Sequence, residues 1–170
     1  MQKKKERNSI PEVVVADSSP LISFARANKL HIIPSIYKKI IIPQGVYDEI
    51  VVKGRGKPGA EEIKSADWIS LCEINNQVEV EKLEEKFGRG ESEAVVLAQE
   101  LKAILLADEW GVIREARRRG IEITSTHLVL IEAKKRRLTE SVKKELEELI
   151  VSGFRTTQVL IKETLHIAGE

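Results

Sequence analysis

The sequence predicts an α/β fold, a three-layer sandwich with a central, mainly parallel twisted sheet. Short apolar runs such as 13–16 and 103–107 have the length and composition of strands that are buried on both faces, as in parallel sheets. Longer segments with amphipathic helical periodicity lie between these runs. Alternation of this kind is typical of a parallel sheet covered by helices.

Each element is predicted from its local composition. Pro43 can begin a helix without losing a needed amide donor. Gly88 and Gly90 interrupt a charged helix, and a new inward stripe of small and apolar residues starts at Ala94. The predicted strands lie near 12–17, 38–42, 68–74, 103–107 and 121–125. The predicted helices lie near 21–29, 44–52, 59–66, 77–87, 91–102, 110–119, 126–136, 140–151 and 157–167.

Length and composition indicate one small domain with a highly charged surface. At 170 residues, the chain divides into a basic N-terminal tail, 1–11, and a single domain, 12–170. Charged residues make up 32% of the chain, with 28 Lys and Arg against 27 Asp and Glu, which is typical of thermophilic proteins. The lone Cys72 excludes an intramolecular disulfide, and the His and Cys spacing does not suit zinc.

Apolar runs are too short for a membrane protein. None approaches the roughly 20 residues that a transmembrane helix needs. The N-terminus shows no apolar region of signal-peptide type. We therefore expect a cytoplasmic protein without a membrane partner.

Two predicted strands end in carboxylates. Asp17 closes the run 13–16, and Asp108 closes the run 103–107. Because parallel strands end at the same edge of a sheet, where ligands collect, the two acids are expected to meet there. Such a cluster suits a hard cation. The alternative is that each Asp only caps the helix that follows it.

Two further acids lie on helices that follow strands. Glu49 lies three residues after Val46, at the edge of an apolar stripe, and would reach a cleft from there. Near 91–102, either Glu91 or Glu93 could point at the cluster, and helical phase places Glu91 nearer the apolar arc. The alternatives are a solvated Glu on the first helix and a favourable first-turn Glu on the second.

These motifs, in this order, resemble the PIN domain, the metal-dependent ribonuclease fold. The similarity runs from about Val13 to Glu170 and is greatest for a prokaryotic and archaeal branch of the family. The motifs that carry it are Asp17-Ser18-Ser19-Pro20-Leu21, Ile42-Pro43-x-x-Val46-x-x-Glu49, Gly88-x-Gly90-Glu91-x-Glu93-Ala94, Leu105-Leu106-Ala107-Asp108-Glu109 and Gly153-Phe154-Arg155-x-x-x-x-Leu160.

The resemblance implies a catalytic and metal-binding set. It places the acids that hold Mg²⁺ or Mn²⁺ at Asp17, Glu49, Glu93 and Asp108. Many PIN domains carry another Asp two residues after the last of these, and this chain has Trp110 there. Glu109 is then a further candidate ligand, and the resemblance leaves open whether one metal binds or two.

The expected function is an endoribonuclease that cleaves single-stranded or loop RNA. Ser18, Arg114, Arg117 and Arg118 are the expected RNA contacts, since cations bind phosphates without regard to sequence. A solvated helix face explains the arginines equally well. The alternative function is a PIN-like module that binds RNA or protein without cleaving. By resemblance, the chain is also a candidate toxin of a toxin–antitoxin pair, with a small antitoxin partner, and a candidate homodimer.

Overall fold

The computed structural model describes residues 13–170 and contains a five-stranded, all-parallel sheet in the order β3-β2-β1-β4-β5. The central strand β1 pairs with β2 and β4, with Val14 opposite Ile40 and Ile104. The basic tail 1–11 and the first residue of the predicted domain lie outside the described residues. The strands are β1 (Val14–Ala16), β2 (Ile40–Ile42), β3 (Ile69–Leu71), β4 (Ile104–Leu106) and β5 (Ile123–Thr124).

Helices cover both faces of the sheet, which confirms the predicted α/β sandwich. One group centres on α6, which packs on β1 and β4 and contacts α3, α5 and α7. A second group centres on α8, which contacts α2, α9 and α10. The helices are α1 (Ser18–Arg26), α2 (Ile32–Tyr37), α3 (Gln44–Tyr47), α4 (Ala60–Ser65), α5 (Gln77–Glu84), α6 (Arg89–Leu101), α7 (Trp110–Arg118), α8 (Thr126–Lys135), α9 (Val142–Val151) and α10 (Gln158–Ala168).

All five predicted strands form, and the helices differ from prediction at two places. Helix α2 was not predicted, because it is only six residues long, contains Pro34 and has no side-chain cap at its N-terminus. The predicted helix 44–52 is α3 followed by a π-helical turn, Asp48–Val52. In that turn the amide of Lys53 donates to the carbonyl of Asp48 at 2.8 Å. Such turns are rare and often mark functional sites.

The order of the strands places a crevice beside β1. From β1 the chain moves outward to β2 and β3, and then returns to add β4 and β5 on the other side of β1. Ligands of open parallel sheets bind where the strand order reverses in this way, at the carboxyl ends of the strands. The reversal point lies between the ends of β1 and β4. Within residues 13–170, every helix is too short or too polar to cross a bilayer.

A buried histidine joins α8 to the C-terminal part of the chain. His127 contacts the hydroxyls of Thr156, through Nε2, and Thr164, through Nδ1, each at 2.7 Å. Thr164 donates its proton to the carbonyl of Leu160, so it accepts from Nδ1–H. The ring also lies against Phe154, 5.5 Å between centroids. Burial lowers the pKa of His127 below its usual value.

This environment predicts a loss of stability in mild acid. In the unfolded chain His127 binds a proton near the ordinary pKa of about 6.5, while in the folded protein burial makes protonation less favourable. The histidine therefore contributes stability that is present above about pH 6.5 and lost as the pH falls through the depressed folded pKa. We expect the denaturant midpoint of the wild type, measured relative to that of His127→Asn, to fall between pH 7.5 and 5. A denaturant midpoint that depends on pH equally in the two proteins would contradict this.

Candidate active site

Asp17 lies at the reversal point of the sheet, immediately after β1. Its amide donates to the carbonyl of Leu106 in β4 at 2.9 Å, so the residue continues the pairing of the two strands. Its Oδ1 accepts from the amide of Ser18 at 2.8 Å, which caps α1 as the alternative interpretation expected. Oδ2 is buried and has no hydrogen-bond partner among residues 13–170. The side chain therefore caps a helix and also presents a free acceptor to the crevice.

The surroundings of Asp17 disfavour its charged form. The residue is 1% exposed, and burial raises the pKa of Asp17 to about 7. The charges of Glu91, Glu49 and Asp108 add to this increase in pKa, and the amide of Ser18 opposes it. Four acids therefore interact electrostatically at the ends of β1 and β4. A carboxyl with a strongly raised pKa in a cleft marks a candidate functional site.

Glu49 reaches the crevice from the π-helical turn. Its Oε2 accepts a hydrogen bond of 2.7 Å from the hydroxyl of Ser18, the residue next to Asp17. The residue as a whole is exposed. Ser18, which we expected to contact RNA, uses its proton to orient Glu49 in this structure. The sequence gives no signal for this pairing, because the two residues are 31 positions apart.

Asp108 is held by the start of α8. Its Oδ1 accepts from the amide of Thr126 at 2.8 Å, and its Oδ2 accepts from the hydroxyl of the same residue at 2.6 Å. Burial raises the pKa of Asp108, and the two bonds from Thr126 oppose the increase. Thr126 is a positioning residue that sequence reasoning missed. Glu109 follows on the exposed surface, where it begins α7 without a side-chain capping bond.

The structure separates the roles of Glu91 and Glu93. Glu93 is 4% exposed, and its carboxylate accepts from the amide of Gly45 at 2.6 Å and from Nε of Arg89 at 2.7 Å. Glu91 accepts from the amide of Gly88 at 3.0 Å and is the acid whose charge acts most on Asp17. Glu93, to which the resemblance assigned the third acid, is paired with Arg89. Metal binding by either residue stays a prediction.

Two glycines let α3 and α6 touch through their backbones. A Cβ at Gly45 would lie 2.7 Å from Oε2 of Glu93 and 3.2 Å from Cα of Gly90. A Cβ at Gly90 would lie 3.0 Å from Oε2 of Glu49. A side chain at Gly45 would press on the backbone of Gly90, and a side chain at Gly90 would displace the carboxylate of Glu49. The close contact places Glu49 beside the start of α6, and only the three-dimensional structure reveals it.

The side chains of the candidate site are of the chemical type that binds a hard divalent cation. Asp17, Glu49, Glu91 and Asp108 offer only carboxylate oxygens, the ligands that Mg²⁺ and Mn²⁺ prefer. The free, buried Oδ2 of Asp17 is an acceptor that a cation would satisfy. No three His, Cys, Asp or Glu side chains within residues 13–170 stand close enough to form a ready ligand cage. Three of the acids are instead held apart by their own hydrogen bonds. Ser18 donates to Glu49, Thr126 to Asp108 and the amide of Gly88 to Glu91.

The predicted RNA-contact arginines differ in their surroundings. Arg114 and Arg117 of α7 are exposed, and the guanidinium of Arg117 lies 6.0 Å from the ring centroid of Trp110. Arg118 is bound by Glu115 through Nη2 at 2.6 Å. Trp110 is 62% exposed at the start of α7. RNA binding by these residues stays a prediction, with Arg118 already neutralised by a neighbour.

Comparison with known proteins identifies the family of this chain. A solved structure of a PilT N-terminus domain protein from the hyperthermophilic archaeon Sulfolobus solfataricus aligns with a TM-score of 0.44 and 17% identity, covering 86% of this chain and 98% of that one. No curated protein matches the chain significantly in sequence. A family profile described as a PIN domain matches residues 13–170. Since this match spans well over half of the chain, the protein belongs to the PIN-domain family, whose members are generally nucleases that use divalent metals.

Proposed function

We propose that this protein is a Mg²⁺- or Mn²⁺-dependent endoribonuclease that cleaves single-stranded or loop RNA. The observation that carries the proposal is Asp17. It is buried at the reversal point of the sheet, keeps one oxygen without a partner among residues 13–170, and lies within the electrostatic influence of three other acids. Concentrating negative charge around a free acceptor destabilises the metal-free fold, and a bound cation would relieve that repulsion.

The residues proposed to hold the cation are Asp17, Glu49, Glu91 and Asp108. When bound there, the cation would supply an activated water and charge stabilisation at the scissile phosphate. The chain's own groups set the orientation of the acids. The hydroxyl of Ser18 fixes one oxygen of Glu49, and Thr126 fixes both oxygens of Asp108. Hydrogen bonds of this kind commonly orient ligating carboxylates.

Glu93 has a different proposed role, as the group that ties α6 to α3. It accepts a hydrogen bond from the amide of Gly45, which joins α6, the helix of Glu91, to α3, the helix that leads into the turn of Glu49. Its bond from Arg89 lies within α6. We assign it positioning and stability, in place of the direct metal contact that the family resemblance suggested. Glu109 remains a further candidate ligand at the exposed rim.

The two glutamates give a matched pair of variants for the test. Glu91→Gln keeps the capping bond to Gly88, since Gln serves in that motif. It should leave stability nearly unchanged and reduce RNA cleavage by orders of magnitude. Glu93→Gln removes a buried charge from Arg89 and should cost about 1–3 kcal/mol of stability. Urea unfolding and cleavage of a panel of single-stranded and hairpin RNAs, with Mn²⁺, Mg²⁺ or EDTA, measure both effects.

Two outcomes would redirect the proposal. Full activity in Glu91→Gln with a loss in Glu93→Gln would return the metal site to the original assignment. RNA binding without metal-dependent cleavage of any RNA would favour the non-cleaving module, for which Trp110 at the second-Asp position is the supporting feature. The toxin role, with a small antitoxin, and the homodimer are further proposals. The mass of the native protein in solution tests the homodimer. Co-purification with the product of a small neighbouring gene tests the toxin role.

A further inference from the structure

A cavity beside the acids carries a charge opposite to theirs. It measures about 240 Å³ and lies between α1, the π-helical turn and the loop 53–59. Glu49 forms part of its wall, so the cavity opens directly beside the candidate active site. Arg26, Lys53 and Lys57 also line it, together with the apolar groups of Ile22, Ile50 and Pro58. The cavity is thus lined by three basic residues and one acidic residue.

These three cations are available to a ligand. Arg26, Lys53 and Lys57 are exposed, and within residues 13–170 none of them forms an ion pair. Some other basic residues are paired with acids, as Lys29 is with Glu145 and Glu148. Unpaired cations around a concave surface attract anions from solution.

The backbone that carries the lysines is fixed. The amide of Lys53 donates to Asp48 at 2.8 Å, and the amide of Lys57 donates to Gly54 at 2.9 Å. At the end of the loop, Gly59 has a φ of 95° and approaches α1 so closely that a Cβ would lie 2.9 Å from the Cβ of Ala25. The two lysines are therefore presented next to Arg26 on a turn that is already folded.

We propose that this cavity binds a backbone phosphate of single-stranded RNA, next to the phosphate that is cleaved. This inference rests on the proposed ribonuclease function and names the path of its substrate. The cavity is smaller than the roughly 300–1,000 Å³ of pockets for drug-sized ligands. Its three cations suit a negatively charged phosphate better than a neutral base. Apolar atoms of Ile22, Ile50 and Pro58 form a surface for the ribose, and the cations offset the repulsion between RNA and the acid cluster.

The chain offers a matched control for this proposal. Arg55 lies on the same loop, is exposed and carries the same charge, and it does not line the cavity. Binding of a short single-stranded RNA is measured in EDTA, so that no metal-dependent cleavage occurs, over a range of salt concentrations. The proteins compared are the wild type, Lys53→Gln/Lys57→Gln, Lys53→Arg/Lys57→Arg and Arg55→Gln. Thermal unfolding confirms that each variant is folded.

The double glutamine variant should lose affinity and salt dependence together. The slope of log K against log salt should fall by about 0.7, the contribution of the one single-strand phosphate that the cavity is proposed to bind. The double arginine variant should keep both quantities, and Arg55→Gln should change the slope by less than half as much. With Mn²⁺, the glutamine variant should show a raised KM for RNA cleavage and a kcat close to that of the wild type.

The binding and cleavage measurements decide different questions. If the glutamine variant binds RNA as Arg55→Gln does, or if the wild type binds no RNA, the phosphate site is overturned. If instead a poly-glutamate peptide loses affinity for that variant while RNA does not, the cavity serves an acidic peptide and the proposal is wrong. Binding that follows the expected slopes without cleavage by any metal-loaded protein would support the phosphate site and contradict the proposed function.

Discussion

Asp17→Asn should abolish RNA cleavage and at the same time stabilise the metal-free protein. The amide keeps the shape of the side chain and the capping bond from the Ser18 amide, while it removes a buried negative charge. The loss of a ligand charge should lower cleavage by orders of magnitude. The gain in stability arises because the fold opposes ionisation at this position.

The pH dependence of that gain follows from the raised pKa of Asp17, about 7 against an ordinary value of 3.8. The wild-type carboxyl contributes stability fully below the unfolded pKa, and this contribution is lost as the pH rises through the folded pKa. The variant should therefore match the wild type near pH 4 and exceed it by a few kcal/mol above pH 7, at about 1.4 kcal/mol per pKa unit. Chemical denaturation in EDTA at several pH values measures the difference.

Divalent metal should stabilise the wild type much more than Asp17→Asn. Millimolar Mn²⁺ should raise the unfolding temperature of the wild type, because binding to the native state stabilises it by mass action. The same addition should have little effect on Asp17→Asn. An equal shift in both proteins would place the metal elsewhere, and a variant no more stable than the wild type at pH 8 would show that Asp17 is not strained when ionised.

Gly45→Ala should damage the fold and the site together. The added methyl would displace the buried carboxylate of Glu93 from its bond with Gly45 and press α3 and α6 apart by a few tenths of an ångström at Gly90. Overpacking of this kind typically costs about 1–3 kcal/mol. The separation would also move Glu49 relative to Glu91, so RNA cleavage should fall more than the loss of stability alone explains.

Gly88→Ser is the control for this substitution. A Cβ at Gly88 makes only one contact, 3.7 Å from Glu91, and the residue is the N-cap of α6 with a φ of −66°. Serine is favoured at that position, so the control should be neutral or slightly stabilising. A Gly45→Ala protein as stable and as active as this control would show that the close contact of the two helices is unimportant.

Much of the fold was predictable because its signals are local. All five strands coincide with short apolar runs, and nine helices were predicted near their observed positions. Helix α2 was missed because Pro34 and a short length hide its periodicity, and its stability comes from packing on α8. The π-helical turn was missed because residues 44–52 follow an ordinary helical pattern, and the wider hydrogen bonding depends on the tertiary structure.

The acids of the candidate site were predictable as a group, and their individual roles were not. Strand ends identified Asp17 and Asp108, because parallel strands must deliver them to one edge. Helical periodicity left Glu91 and Glu93 both open, and the choice depends on Arg89 and Gly45, whose contacts with Glu93 appear only in the folded chain. The bond between Ser18 and Glu49 likewise joins residues distant in sequence, so no local pattern indicates it.

The π-helical turn holds two opposite charges that do not neutralise each other. Glu49 and Lys53 are four residues apart, and in an α-helix a Glu and a Lys at that spacing attract one another by about 0.3–0.5 kcal/mol. Within residues 13–170 the two side chains form no ion pair. The carboxylate of Glu49 accepts from the hydroxyl of Ser18 instead, and Lys53 lines the neighbouring cavity. One short turn thus keeps a carboxylate for the proposed cation and an ammonium for the proposed phosphate.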